Sequence, residues 1–148
     1  MRIAIGSDHR ARDLKKKVIG LLAAAGHEVS DLGCHSDDAV DYPDVAGDVT
    51  AAVIRGAAER GILICGTGIG MSIAANKRSG IRAALCHDVF GVSRSRLHND
   101  ANVLCLGAEV AMGSLAEMLE IFIGTVWEGG RHQRRLDKIT ASECLPSV

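Results

Sequence analysis

A cysteine and three alternating glycines stand together in the segment ILICGTGIGMS, positions 62–72. The apolar run ends at Cys65, and Gly66, Gly68 and Gly70 follow it. Backbone N–H groups in a glycine-rich turn before a helix form a natural seat for an anion. A thiol beside a helix N-terminus also ionises more readily than an ordinary cysteine. The segment therefore predicts a reactive sulfur next to an anion-binding loop.

Several interpretations of this loop compete, besides a plain strand-to-helix turn, which needs fewer glycines. A dinucleotide-binding fold would use an acid about twenty residues on, at Asp88, but the glycine spacing is G-x-G-x-G and the loop follows the third predicted strand. A cysteine phosphatase needs an arginine where this chain has Met71. In the remaining interpretation, Cys65 is a base that takes a proton from a carbon next to a carbonyl. The loop amides then stabilise the enediolate oxygen, which accounts for both the sulfur and the glycines.

A basic segment near the end of the chain could bind a phosphate group. Arg131 and Arg135 lie one helical turn apart in GGRHQRR, so a helix there would place both on one face. Two guanidinium groups on one face suit a phosphate dianion, although a solvated basic helix end has the same spacing. The net charge is −1 and no basic or aromatic residues extend the patch, so nucleic-acid binding is not predicted.

The composition is that of one ordinary globular domain spanning residues 1–148. Apolar residues make up 47% and charged residues 24% of the chain. The five cysteines contain no C-x-x-C pair, no leader is recognisable, and no apolar run approaches the roughly 20 residues of a membrane helix. We therefore expect a cytoplasmic protein that does not contact a membrane. The six histidines lack metal-ligand spacing, so no metal is predicted.

Short apolar runs alternate with helical periodicity along the whole chain. The predicted strands are 3–5, 27–32, 62–64, 81–86 and 102–106. The predicted helices are 14–22, 45–60, 71–77, 88–97, 115–126 and 131–139. This alternation predicts an α/β fold with a single-domain, open, parallel five-stranded sheet and helices on both faces, a Rossmann-like three-layer αβα arrangement. Ligands of such sheets bind beyond the carboxyl ends of the strands.

Six spaced motifs give the chain a resemblance to a known family. They are GSDH at 6–9, DYP at 41–43, CGTGIG at 65–70, AANK at 74–77, HND at 98–100 and EGGRHQ at 128–133. Together and in this order they resemble the type B ribose-5-phosphate isomerases, whose family also holds galactose-6-phosphate and allose-6-phosphate isomerases. One branch of that family has a glutamate where this chain has Met71; with Cys65, this chain resembles the cysteine-using branch.

The resemblance implies an aldose–ketose isomerase of the non-oxidative pentose phosphate pathway that needs no metal and no cofactor. It would interconvert ribose 5-phosphate and ribulose 5-phosphate as a homodimer, or as paired dimers, with sites shared between subunits. A hexose 6-phosphate such as that of allose or galactose, or a rare free sugar, is the alternative substrate. A nucleotide-binding module is the alternative from another functional class.

The family motifs also imply a role for each matching residue. Cys65 would move the proton, with Thr67 beside it, and His98 and Asp8 would assist ring opening. The substrate-binding residues would be His9, Tyr42, Gly66, Gly68, Ile69, Gly70, Ser72, Asn99, Arg131 and Arg135. Among these, His9 and the two arginines would hold the phosphate. Cys86, Cys105 and Cys144 are interpreted as structural.

Overall fold

A five-stranded parallel sheet forms the centre of the computed structural model, which describes residues 1–143. The strands are β1 (Arg2–Ser7), β2 (Glu28–Asp31), β3 (Arg60–Cys65), β4 (Ala83–Leu85) and β5 (Val103–Gly107). Their order across the sheet is β2-β1-β3-β5-β4, and every pairing is parallel. The predicted α/β fold is confirmed.

Helices cover both faces of this sheet. They are α1 (Arg12–Ala24), α2 (Tyr42–Ile54), α3 (Ile69–Ala75), α4 (Val89–Asn99), α5 (Leu115–Gly124) and α6 (Gln133–Glu143), with short 3-10 turns at His9–Ala11 and Gly130–His132. Helices α1, α4 and α5 pack on one face, and α2 and α3 pack on the other. Within residues 1–143, no helix has both the length and the apolar character needed to cross a membrane.

Neighbouring residues of the central strands enter different cores because strand side chains alternate between faces. In β3, Ile62 and Ile64 pack against α1, α4 and α5, whereas Leu63 and Cys65 pack against α2 and α3. Both faces are covered, which explains why these strands are continuously apolar in the sequence. The Cys65 side chain therefore lies on the face that carries α2 and α3.

The predicted end of the second helix is wrong. Helix α2 runs over Tyr42–Ile54 instead of 45–60, and Gly56 directly beyond it takes a φ of +70°. Gly61, which directly follows the predicted helix, lies inside β3. A Cβ at that glycine would lie 3.0 Å from Val49 and 3.1 Å from Val103. Gly61 therefore allows close packing inside the core and does not end a helix.

The other boundaries differ by a few residues. Strand β4 covers only Ala83–Leu85, and α3 begins two residues before Met71, at Ile69. The helix predicted over 131–139 is a 3-10 turn followed by α6. Cys144 lies outside the described residues.

A buried arginine fixes the end of α4. The Arg96 Nη1 donates to Asp100 Oδ1 at 2.8 Å and to a backbone carbonyl at 2.7 Å. Asp100 takes a left-handed φ of +44°, and its other oxygen accepts from Arg82 at 2.8 Å. Because a buried guanidinium needs a charged partner, this network holds the backbone that directly follows His98 and Asn99.

We expect Asp100→Asn to lower the free energy of unfolding by about 3 kcal/mol, since it leaves the buried Arg96 without its carboxylate. Asparagine tolerates the left-handed backbone, so the change removes charge without adding strain. Urea unfolding measures the loss. Asp137→Asn is the matched control, because that aspartate is exposed and its replacement should change the free energy by less than about 0.5 kcal/mol. Equal effects of the two substitutions would contradict this account.

Candidate active site

The crevice between the carboxyl ends of β1 and β3 is the point where the connections change direction across the sheet. From β1 the chain passes to β2 on one side, and from β2 it crosses to β3 on the other side. Open α/β sheets bind ligands at such a switch point. Asp8 follows β1, Cys65 ends β3, and the Asp8 N–H donates to the Ile64 carbonyl at 3.1 Å. Asp8 and Cys65 therefore lie at neighbouring strand ends.

The Cys65 sulfur lies inside the turn that joins β3 to α3. The Gly68 N–H donates to Cys65 Sγ at 3.1 Å. Gly68 has a φ of +76°, and a Cβ there would lie 2.9 Å from the Leu106 carbonyl oxygen. Only glycine fits this position, because both the backbone conformation and the space exclude a side chain. The turn thus directs a backbone donor at the sulfur, which stabilises negative charge on it.

Two hydroxyl residues shape the same turn. The Thr67 Oγ1 accepts the Ile69 N–H at 3.3 Å, and Thr67 is exposed. The Ser72 N–H donates to the Gly68 carbonyl at 3.0 Å, which closes the first turn of α3. The Thr67 hydroxyl therefore lies on the solvent side of the loop, where a ligand could reach it.

Asp8 caps the 3-10 turn that follows β1. Its Oδ1 accepts the N–H groups of Arg10 and Ala11 at 3.0 Å and 3.1 Å. Oδ2 takes no part in the cap. The same carboxylate can therefore hold the backbone and contact a ligand in the crevice.

His9 and Tyr42 border the crevice. The Val40 N–H donates to His9 Nδ1 at 3.4 Å, so the neutral ring carries its proton on Nε2, where it can donate to an anion. The Tyr42 ring lies against Gly70, because a Cβ on that glycine would come within 2.6 Å of Tyr42 Cζ. Gly70 therefore makes room for an aromatic wall beside the loop.

An ion pair lies at the rim of the glycine loop. The Arg10 Nη2 contacts Glu109 Oε1 at 2.6 Å. The Glu109 N–H donates to the Gly66 carbonyl at 2.8 Å, and a Cβ on Gly66 would lie 3.2 Å from the Glu109 carboxylate. Both charged side chains are thus held next to the loop that follows Cys65.

The other predicted polar residues form a second group near the end of α4. The rings of His98 and His132 stack with their centroids 4.3 Å apart and an interplanar angle of 11°. Glu128 Oε2 lies 3.8 Å from Nε2 of each ring. Asn99 follows His98 and lines a cavity of about 220 Å³ that Arg82 also lines.

Guanidinium groups surround this pair of histidines. Arg94 Nη1 lies 3.2 Å from His98 Nε2. Arg131 Nε lies 3.4 Å from His132 Nε2, and Arg135 Nη1 lies 3.4 Å from His132 Nδ1. Arg131 and Arg135 therefore converge on His132, the former from a 3-10 turn and the latter from α6.

The charges of this second group favour an anion over a cation. His98, Glu128 and His132 bring three possible metal ligands within 4.8 Å of one another. Burial, followed by the neighbouring His98 and Arg131, lowers the pKa of His132, so its ring stays neutral near pH 7. The three arginines nevertheless outnumber the single carboxylate, which opposes a divalent cation and suits a phosphate dianion.

The two groups lie at opposite edges of the sheet: the group around Cys65 lies where the strands end, and the group around His98 lies where they begin. In the β3–β5 ladder, Cys65 pairs with Gly107 and Gly61 pairs with Val103. These pairs are four residues apart along β5 (107 − 103), or about 13 Å at the usual rise of a strand. His98 precedes β5 on the amino side, whereas Cys65 ends β3 on the carboxyl side. One chain therefore does not bring Cys65 and His98 together.

The motifs and their spacing predict no role for Arg10, Arg94, Glu109, Glu128 or His132. Glu109 follows the end of β5, so its position at a strand end was the available signal. The contacts of these residues join segments far apart in the chain, which spacing does not reveal. Asp88, the acid of the dinucleotide interpretation, caps α4 instead, since its Oδ1 accepts the Gly91 N–H at 2.6 Å.

Comparisons with known proteins agree with this architecture. The model of the ribose/galactose isomerase family matches residues 3–139. Ribose-5-phosphate isomerase B of Escherichia coli is 47% identical over 143 residues, which cover 96% of each chain. The solved ribose-5-phosphate isomerase B of Clostridium thermocellum is 46% identical with a TM-score of 0.93, over 97% of each chain. The D-erythrulose-4-phosphate isomerase of Pectobacterium atrosepticum is 43% identical over 94% of this chain and 93% of its own.

We expect iodoacetamide at pH 8 to modify Cys65 in the folded protein before Cys86 or Cys105. Burial raises the pKa of the Cys86 thiol to about 11 and also raises that of Cys105, so both remain protonated. The Cys65 sulfur instead accepts a hydrogen bond from the Gly68 backbone N–H. Peptide mapping by mass spectrometry measures the order, and urea-unfolded protein, in which all sites react, is the control. Modification of Cys86 as fast as Cys65 would contradict this expectation.

Proposed function

This chain belongs to the ribose/galactose isomerase family, and we propose that it interconverts ribose 5-phosphate and ribulose 5-phosphate with Cys65 as the base. Relatives that carry this activity in their names match nearly the full length of the chain. The observation that carries the catalytic assignment is the 3.1 Å contact from the Gly68 N–H to the Cys65 sulfur at the switch point of the sheet. A sulfur that accepts a backbone hydrogen bond at this position can act as a base, because the N–H group stabilises the thiolate form.

The proposed chemistry begins from the open-chain aldose. Cys65 removes the proton from C2, the C–H electron pair forms the C1–C2 double bond, and negative charge collects on O1. Backbone N–H groups of the loop Gly66–Gly70 and the Thr67 hydroxyl stabilise that oxygen. Cys65 then returns the proton to C1, and the O2 proton moves to O1, which gives the 2-ketose. The sugar loses one proton and gains one at each stage, with no net transfer of electrons, so the reaction consumes no redox cofactor.

Ring opening must come before this step, because the furanose has no free carbonyl. We assign it to His98, with Asp8 as a second candidate through its Oδ2. His98 Nε2 faces the Arg94 guanidinium, which can only donate, so this nitrogen is an acceptor in the neutral ring. The anomeric hydroxyl replaces Arg94 on this nitrogen, which removes the hydroxyl proton as the bond between C1 and the ring oxygen O4 breaks. The His98 ring then returns that proton to O4, which leaves the open-chain aldose.

We propose that a second copy of the chain completes each site, as a homodimer. Cys65 and His98 lie at opposite edges of the sheet, so one substrate can reach both only if they come from different subunits. Apolar side chains around the loop also favour an interface, since Ile69 is 52% and Ile73 is 58% exposed on the same face of α3. Tyr42 beside them is exposed as well.

The phosphate would then be held by groups from both subunits. His9 donates from the half-site of Cys65, and Arg131 and Arg135 donate from the half-site of His98. Two guanidinium groups near one buried neutral histidine provide the positive charge and the directional donors that a phosphate dianion needs. Asn99 would hydrogen-bond the sugar near its reacting carbons.

A cytoplasmic location fits the same proposal. The cysteines of the described region, Cys34, Cys65, Cys86 and Cys105, are free thiols. Free thiols persist in reducing compartments.

The length of the sugar is the part of the proposal that a substrate panel tests best. The relative from Pectobacterium atrosepticum is named for a four-carbon substrate. Purified protein should show its highest kcat/KM with ribose 5-phosphate when it is compared with four-carbon sugar phosphates and with the 6-phosphates of allose and galactose. A higher kcat/KM for another member of the panel would replace the substrate assignment but not the chemistry.

Cys65→Ala should lower kcat by a factor of roughly 10²–10⁴, the usual cost of losing a general base. It should also abolish exchange of the C2 proton with deuterated water while ribose 5-phosphate still binds. Proton NMR measures the exchange, and calorimetry measures the binding. Cys86→Ala is the matched control, because that cysteine packs in the core on the opposite face of the sheet from Cys65. Equal losses of binding and rate in Cys65→Ala would indicate that the residue shapes the pocket and is not the base.

Mixing two inactive variants tests the shared site. Cys65→Ala and His98→Ala should each be inactive alone. After co-refolding, about a quarter of wild-type activity should return, because half of the dimers pair unlike subunits and each of these has one intact site. Refolding either variant alone is the control. No recovery despite mass-verified mixed dimers would show that both residues must come from one chain.

A further inference from the structure

The Arg10–Glu109 pair lies at the rim of the glycine loop, next to the space that a ligand bound to the loop would occupy. Arg10 directly follows Asp8 and His9, and its backbone N–H is fixed by Asp8 Oδ1 at 3.0 Å. Glu109 is fixed from the other side, because its N–H donates to the Gly66 carbonyl at 2.8 Å. Two separate strand ends, those of β1 and β5, thus place opposite charges at the rim of one loop.

The side chains of this pair are free to change partners. Those of Arg10 and Glu109 are 62% and 49% exposed. A guanidinium has five N–H donors, and the 2.6 Å contact to Glu109 Oε1 engages one of its nitrogens, Nη2. An exposed ion pair of this kind contributes little to stability, so exchanging the carboxylate for another anion costs little.

The half-site of Cys65 also needs a permanent positive charge. Of the groups assigned to the phosphate, His9 alone belongs to this half-site, and its Nε2–H offers the dianion a single donor. Arg131 and Arg135 lie at the opposite edge of the sheet and reach the site only from a second copy. Arg10 is always charged and lies beside His9 in the chain.

We propose that Arg10 binds the substrate phosphate from the same subunit as Cys65, and that Glu109 is a competing anion that holds the guanidinium at the loop rim until phosphate displaces it. This inference rests on the proposed function. The free enzyme keeps Arg10 next to the loop, and the substrate dianion wins the exchange because it carries more charge than one carboxylate and offers several acceptor oxygens. Glu109 thereby sets how much phosphate affinity the enzyme retains.

Competition of this kind predicts effects of opposite sign at the two positions. Arg10→Gln should weaken binding of inorganic phosphate, and raise KM for ribose 5-phosphate, by roughly 10- to 100-fold, the range for a hydrogen bond to a charged group. Its kcat should change little, since Cys65 and the loop stay intact. Glu109→Gln should tighten phosphate binding, because the Arg10 guanidinium would no longer have to break an ion pair with Glu109 before it binds phosphate.

Calorimetric titration of the full-length variants with sodium phosphate measures these affinities without turnover, and steady-state assays give KM and kcat. Arg12→Gln is the matched control, since Arg12 lies two residues away and pairs with Asp37 outside the crevice. Its phosphate affinity should equal that of the wild type. Folding of each variant is verified by its thermal unfolding curve.

Wild-type phosphate affinity in Arg10→Gln would overturn the inference, as would weaker binding in Glu109→Gln. These outcomes leave the proposed function intact if the wild type still isomerises ribose 5-phosphate. A wild type that binds phosphate through Arg10 but does not isomerise this sugar would instead overturn the proposed substrate and keep the anion site. The phosphate titration tests the role of Arg10, and the turnover assay tests the proposed substrate, so either claim can fail without the other.

Discussion

The left-handed turn at Gly68 is the constraint on which the candidate site depends. It directs a backbone N–H at the Cys65 sulfur and brings the loop so close to the Leu106 carbonyl that no side chain fits. The turn is held by the packed end of β5, because the Ala108 N–H donates to the Cys65 carbonyl at 2.9 Å. The position of the proposed base is thus determined by the sheet and not by a mobile loop. A base that is fixed before substrate arrives loses little entropy in the reaction.

The geometry of a parallel sheet explains why one chain keeps Cys65 and His98 far apart. Every strand ends at the same edge, so Asp8 and Cys65 meet there, while α4 returns the chain to the opposite edge and leaves His98 beside His132. A fold of this kind cannot place residues from both edges around one small substrate. In the dimer that we propose, the edge with Cys65 supplies the base, the donors for the negative oxygen, His9 and Arg10, and the opposite edge of the second copy supplies His98, Arg131 and Arg135.

Much of this arrangement could be predicted from the sequence, for identifiable reasons. The two periodicities, of strands and helices, are local, so the sheet and its helices were found, and the cysteine and glycines fall in one short segment. The end of α2 was wrong because Gly61 looked like a helix stop and is instead a packing glycine between Val49 and Val103. The pair Arg10–Glu109 and the stack His98–His132 join residues distant in the chain, and nothing in their spacing marks them. Such contacts require the folded structure.

A crystal structure with ribitol 5-phosphate tests the central claim most directly. This reduced analogue has no carbonyl, so it can occupy the site without reacting. The account predicts the Cys65 sulfur within about 3–4 Å of C1 and C2, as expected for groups poised to react. It also predicts loop N–H groups on the neighbouring oxygen and a histidine from the second subunit near the sugar. A bound sugar with its first two carbons far from this sulfur and close to another base would contradict the account.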